Sequence, residues 1–322
     1  MMDYTDRHCR YLMRLLSRRT RMYTEMVTSA AIVRGSDPAR FLDFDPAEQP
    51  IALQLGGSDP AQLAQAARLA QNWGYNEINL NVGCPSDRVT SGRFGACLMA
   101  EPDLVATCVK AMRDSVDIPV TVKTRIGIDD MDTDAHLDAF ITTVAAAGCD
   151  TFIIHARKAW LQGLSPKENR EIPPLNYGRV FKLKRTFPDL KLVLNGGLKT
   201  LPDALQNLTD ADGIQLDGAM LGRAPYDSPY MLTNVDRLFF GDTTTPASRT
   251  VVTAAYVAYA VKSLSEHVRP HHVIRHVVGL FHGCANARLW RQTVSRIGQS
   301  GSDPHELITL AQKLENGLAA AA

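Results

Sequence analysis

The sequence has no run of about eighteen apolar residues, and no apolar segment follows Met1-Met2-Asp3-Tyr4-Thr5-Asp6-Arg7, so neither a membrane-spanning helix nor a secretory leader is expected. The cytoplasm is the expected location. There is also no CxxC pair. The six cysteines, Cys9, Cys84, Cys97, Cys108, Cys149 and Cys284, are scattered, which argues against a disulfide framework and a paired-cysteine zinc site. Internal repeats and low-complexity tracts are lacking apart from a short Ala-rich tail.

Net charge is nearly absent at +1, but its distribution is uneven. Acids are scarce between Arg249 and Ser300, where Glu266 stands alone against Arg249, Lys262, Arg269, Arg275, Arg288, Arg291 and Arg296. His267, His271, His272, His276 and His282 share the stretch. A neutral chain with a basic C-terminal module points to a polyanionic partner. A metal site among His267, His271, His272 and His276 is disfavoured, because Pro270 interrupts their spacing and no acidic or Cys ligand accompanies them.

What is present is an ordinary globular composition, 45% apolar and 21% charged over 322 residues. That length suits one barrel of about 250 residues plus a smaller module. Short β-rich runs alternate with helical patterns, the signature of β/α repeats around a parallel sheet. Strands are expected near Met22–Met26, Ile51–Leu55, Glu77–Asn81, Val120–Thr124, Phe152–His155, Leu192–Asn195 and Gly218–Leu221. A helix with Leu63, Ala66, Ala67, Leu69 and Ala70 on one face should start at Pro60 and close at Gly74. Seven strands leave an eight-stranded (β/α)8 TIM barrel one short, and its first strand reads as truncated at the N-terminus. Pro225, Pro229 and Gly241–Pro246 read as a linker, and only helical periodicity follows Ser248. The expected division is a catalytic barrel over 1–240 and a small all-α helical domain over 241–322.

Barrel enzymes place their chemistry at the C-terminal ends of the strands. Glu25, Gln54, Asn81, Cys84, Lys123, Arg125, His155, Arg157, Asn195 and Arg223 stand at or just past such ends. Asn195-Gly196-Gly197 and Leu221-Gly222-Arg223 are late turns in which glycine lets backbone N–H groups approach an anion, the usual phosphate site of a barrel. Lys123 would present an ammonium at the barrel mouth, suited to negative charge on a flavin. Cys84 sits on a tight loop, where a nucleophile, a proton donor or a small apolar filler are all possible readings; the donor role is preferred, since no His or Asn adjoins it in sequence.

These residues resemble the tRNA-dihydrouridine synthases, most closely the bacterial A-type. The resemblance rests on Met1 to His8, Tyr23-Thr24-Glu25-Met26, the run Asn79 to Met99, and His155 to Trp160 continuing to Ser165–Arg170. It covers nearly the whole chain. The family begins with an aliphatic strand and an Ala-Pro before its Met-Met pair, whereas this chain starts at the pair.

The resemblance implies bound FMN reduced by NADPH, hydride delivered to C6 of uridine, and a proton delivered to C5 by Cys84. It assigns Met1, Met2, Gln54, Lys123, His155, Asn195, Gly196, Gly197, Gly222 and Arg223 to FMN, and Asn81, Lys167, Arg170, Arg288 and Arg291 to tRNA. D-loop uridines 20 and 20a are the implied substrates. No protein partner is implied. Two other readings stay open: an FMN barrel acting on a free pyrimidine, which needs no basic helices, and an inactive RNA-binding relative.

Overall fold

The computed structural model describes residues 1–86, 92–265 and 268–320. The chain forms two compact units, Tyr23–Asp43 with Ile51–Leu221, and Met1–Met22 with Phe44–Pro50 and Gly222–Ala322.

The first unit is built on a seven-stranded sheet in the order β1 to β7, with β1 Met22–Thr28, β2 Ile51–Gly56, β3 Glu77–Val82, β4 Val120–Arg125, β5 Thr151–His155, β6 Lys191–Asn195 and β7 Gly218–Met220. Every ladder from β2 to β7 is parallel, and each neighbour in the sheet is the neighbour in sequence. This is β/α-barrel topology, and all seven expected strands are present.

Helices fill the connections, with ends written in the sequence. The helix Pro60–Trp73 starts on the Asp59 carboxylate, which accepts from Ala61 and Gln62 N–H, and stops at left-handed Gly74. Thr133 and Asn176 cap the helices Asp134–Ala146 and Tyr177–Thr186 in the same way.

Side-chain alternation sorts β3 into two faces. Ile78, Leu80 and Val82 form one and Glu77, Asn79 and Asn81 the other, and all six are buried. On β4, Thr121, Lys123 and Arg125 likewise share a face. Register aligns these polar positions into rows across the sheet. Gln54 lies beside Asn79 and Asn79 beside Thr121. Asn81 lies beside Lys123, and Arg125, His155, Asn195 and Met220 follow one another in the next row. Polar groups thus line this face from Glu77 at the start of β3 to the row of Arg125, His155 and Asn195 at the opposite ends of the strands.

The second unit is helical. It joins the helix Arg7–Leu16 to the helices Arg249–Ser265, Ala287–Ser300 and Glu306–Ala319, so residues 1–22 and 222–240 group with the C-terminal helices rather than with the sheet. Its core holds fully buried Trp290, Tyr256 and Phe281. Trp290 Nε1 donates to the Val277 carbonyl at 2.8 Å, and the Tyr256 hydroxyl donates to that of Val273 at 2.8 Å. Tyr11 stacks on Tyr259 at 3.9 Å, and the Tyr259 hydroxyl meets His8 Nδ1 at 2.8 Å. The Glu315 carboxylate receives the N–H groups of Arg249 and Thr250, tying the last helix to the start of the helix Arg249–Ser265.

One expectation needs correcting here. Pro225 and Pro229 do not lie in an extended linker. They fall in short helical turns, Arg223–Asp227 and Pro229–Asn234, followed by the helix Val235–Phe240. Proline suits the first turn of a helix, where its missing N–H has no partner to lose.

Candidate active site

The loop leaving β3 carries Cys84, and its shape is set by Asn81. The Asn81 Oδ1 accepts from both Gly83 N–H and Cys84 N–H at 3.0 Å, a side-chain-closed turn, while its Nδ2 donates to Gln54 Oε1 at 2.9 Å. Cys84 is half-buried with Sγ 3.6 Å from Ser86 Oγ, and its carbonyl accepts from Ala96 N–H. Residues 87–91 of the family-like run lie outside the described residues.

Arg125 locks this loop to the next. Its Nε donates to the Gly83 carbonyl at 2.9 Å, and one Nη donates to the carbonyls of Lys158 (2.9 Å) and Asn169 (3.0 Å). Burial lowers its proton affinity, yet only to about 10, so the guanidinium stays charged. Burial, reinforced by Arg125 and opposed by Cys84, brings the Lys123 ammonium down to about 8. His155 is buried, and burial together with Arg125, Lys123, Arg157 and Arg170 holds it well below the ordinary histidine range, hence neutral at pH 7. Several cations converge on one strand end, an environment for anionic or electron-rich ligands.

Beside His155 lies a glycine cradle. Gly196 and Gly197 both have positive φ, +106° and +73°. A Cβ on Gly196 would stand 2.4 Å from Cδ2 of buried His155, and one on Gly197 2.4 Å from Leu175 Cδ1, so a side chain at either would have to displace a neighbour on a backbone that L residues rarely adopt. The Tyr177 hydroxyl donates to the Gly196 carbonyl at 2.6 Å, and Asn195 Nδ2 donates to that of Met220 at 2.8 Å. Neither glycine N–H donates to a protein group among the described residues.

Of the residues singled out in sequence, Gln54, Asn81, Cys84, Lys123, His155, Asn195, Gly196 and Gly197 come together in the sheet unit. Lys167 and Arg170 are exposed on the loop that follows β5. Met1, Met2, Gly222 and Arg223 belong to the helical unit. There a Cβ on Gly222 would lie 3.4 Å from Met1 Sδ, while Met2 and Arg223 are exposed. Arg288 and Arg291 share the exposed face of the helix Ala287–Ser300, opposite buried Trp290, Val294 and Ile297. His267 lies outside the described residues, and no group of three metal-ligating side chains occurs among the described ones. Sequence reading passed over Asn79, Thr121, Asn169 and Tyr177; the polar alternation Glu77-Ile78-Asn79-Leu80-Asn81-Val82 was the available signal for the first.

Polar and cationic groups gathered at the strand ends of a parallel β/α sheet define a barrel enzyme. The chain belongs to the dihydrouridine synthase family, whose profile matches residues 1–317. That family is flavin-dependent and its members are oxidoreductases. The chain is 55% identical over 315 residues to the tRNA-dihydrouridine(20/20a) synthase of Salmonella typhimurium, covering 98% of this chain and 93% of that one. It is 56% identical over 296 residues to the protein of the same name from Vibrio cholerae, covering 92% and 88%. Among solved structures, a 2-naphthoyl-CoA reductase complex is similar at a TM-score of 0.41 and 15% identity over 54% of this chain and 28% of that one. No helix among the described residues is long and apolar enough to cross a membrane.

Proposed function

We propose that this protein reduces uridine to 5,6-dihydrouridine in tRNA, at D-loop positions 20 and 20a, in the cytoplasm. The observation that carries the reading is the identity with the tRNA-dihydrouridine(20/20a) synthases over nearly the whole chain, joined to a cysteine held half-buried beside a lysine at the strand ends.

The sheet unit suits FMN. Two glycines with positive φ carry N–H groups that meet no protein acceptor among the described residues and are available to a phosphate, and Lys123 adds charge that an anionic flavin ring needs. Gln54, Lys123, His155, Asn195, Gly196 and Gly197 would hold it, with Met1, Met2, Gly222 and Arg223 assigned on motif alone. When bound and reduced by NADPH, FMN supplies the two electrons that saturate the C5–C6 bond.

The chain's own residues do the rest. Cys84 delivers the proton to C5, its loop fixed by Asn81 from within and by Arg125 from beside. The Lys123 ammonium offsets negative charge near the reacting ring. Neutral His155 offers a hydrogen bond without adding charge. A uridine must leave its stack to reach strand ends, so the enzyme has to grip folded RNA, and Asn81, Lys167, Arg170, Arg288 and Arg291 are the proposed contacts.

The test is dihydrouridine formation on unmodified tRNA transcripts with FMN and NADPH. Wild type should form product and Cys84→Ala at least about a hundredfold less, the usual contribution of a positioned acid. An undiminished mutant rate would remove Cys84 as the donor. Reduction of free uridine at a comparable rate would replace tRNA as substrate.

A further inference from the structure

The carboxamides around Cys84 belong to a single file of hydrogen bonds whose two ends have fixed sense. At one end the N–H groups of Gly83 and Cys84 can only donate, and Asn81 Oδ1 receives both. At the other, the Glu77 carboxyl group, 2% exposed, receives the hydroxyls of Tyr23 (2.8 Å) and Thr121 (2.7 Å) on the same oxygen. Between them Asn81 Nδ2 donates to Gln54 Oε1 at 2.9 Å, Gln54 Nε2 to Asn79 Oδ1 at 2.8 Å, and Asn79 Nδ2 to Thr121 Oγ1 at 2.8 Å.

A hydroxyl has one proton to give. Thr121 has a second acceptor in the Ile78 carbonyl, but at 3.4 Å against 2.7 Å to Glu77 the carboxyl oxygen takes the proton. Thr121 therefore accepts from Asn79, and every carboxamide in the file follows. Turning any one over would set N–H against N–H and oxygen against oxygen in a row where Asn79 is fully buried, which costs the desolvation of each unmet group.

Fixed sense also decides what is left for a ligand. Gln54 and Asn81 have each spent one N–H and engaged their oxygen, so each retains one N–H. Asn81, with both lone pairs of its oxygen filled, has only a donor left, and Gln54 has one N–H beside the second lone pair of its oxygen, so a ligand group that accepts, as a ring carbonyl oxygen does, can meet both.

We propose that Glu77 and Thr121 are positioning residues for this site. They act through Asn79, Gln54 and Asn81, from a carboxyl group roughly 13 Å from Asn81 along the strand at about 3.3 Å per residue. They keep the N–H groups of Gln54 and Asn81 facing the ligand and hold the Cys84 loop in place. The inference rests on the proposed function for its activity arm only.

Thr121→Val keeps shape and removes the link, whereas Thr121→Ser keeps the hydroxyl. The discriminating readout is the alkylation rate of Cys84 by iodoacetamide, followed peptide by peptide, with half-buried Cys97 and Cys284 as internal references. Thr121→Val should change the Cys84 rate several-fold, leave Cys97 and Cys284 unchanged, and lower kcat/KM for tRNA by about tenfold, the effect of roughly one hydrogen bond. Thr121→Ser should restore both. A Cys84 rate equal to wild type in Thr121→Val, or an equal change at all three cysteines, overturns the proposal. Wild type that forms no dihydrouridine overturns the proposed function instead, while the alkylation arm still reports on the file.

Discussion

Tyr177 grips a peptide. Its hydroxyl donates to the Gly196 carbonyl at 2.6 Å, and across a trans peptide the carbonyl and the next N–H point opposite ways, so Gly197 N–H is directed away from the tyrosine. A phosphate received by that N–H depends on Tyr177 without touching it. Tyr177→Phe should weaken FMN binding about three- to tenfold, the value of one hydrogen bond, and leave riboflavin, which lacks the phosphate, unaffected. Fluorescence titration of both flavins decides it; equal weakening of the two would discredit the cradle. Lys123 makes a second residue-scale prediction. Its ammonium, brought down to about 8 by burial, is charged below that pH and neutral above it. Affinity for FMN should therefore fall several-fold between about pH 7 and 9 in wild type and stay level in Lys123→Arg, whose guanidinium keeps its charge. A level wild-type profile would exclude Lys123 as the charge the flavin feels.

The element that most needs explaining is the connection from β5 to the helix Tyr177–Thr186, because long irregular segments are uncommon unless they serve binding. Asn169 makes it a defined surface. Its side chain accepts from Trp160 N–H at 2.8 Å and donates to the carbonyls of Trp160 (2.9 Å) and Leu164 (3.1 Å), and its own carbonyl receives Arg125. Exposed Lys167 and Arg170 flank this pin. Asn169→Ala strands buried backbone groups and should cost about 1–3 kcal/mol of stability. Its larger expected effect is a raised KM for tRNA with kcat little changed, measured by steady-state kinetics beside thermal denaturation. An unchanged KM in a destabilised variant would leave the loop without a part in binding.

Elements of this kind also mark what could be read beforehand. The strands were legible because short apolar runs end in polar groups, and Asp59, Pro60 and Gly74 spell the ends of their helix. The file from Cys84 to Glu77 was not, since it needs the register that sets Gln54 beside Asn79 and Asn79 beside Thr121. Tyr177 stayed hidden because its partner lies nineteen positions on. The grouping of the helix Arg7–Leu16 with the C-terminal helices turns on long-range pairs such as His8 with Tyr259, which no local pattern announces.

At the scale of the molecule, the surplus of basic residues between Arg249 and Ser300 overstates the field an RNA would meet. Arg275 pairs with Asp6 at 2.9 Å, Arg296 with Glu306 at 2.5 Å, and Arg249 donates to the Leu280 carbonyl while lying 3.7 Å over the Tyr230 ring. These charges hold the helical unit together. Arg288 and Arg291 differ: both are exposed on one helix face, and neither side chain makes an ion pair or hydrogen bond among the described residues. Charges left over from folding are the ones available to phosphates. Replacing both with alanine should weaken tRNA binding alike for different tRNA sequences. Each arginine–phosphate pairing removed should lower the slope of log affinity against log salt by about 0.7 to 0.9, so by about 1.5 for the two together. FMN affinity should not move. Filter binding across a salt series measures the slope, and a slope equal to that of wild type would mean that these arginines only solvate their helix and that the grip on RNA lies with Lys167 and Arg170.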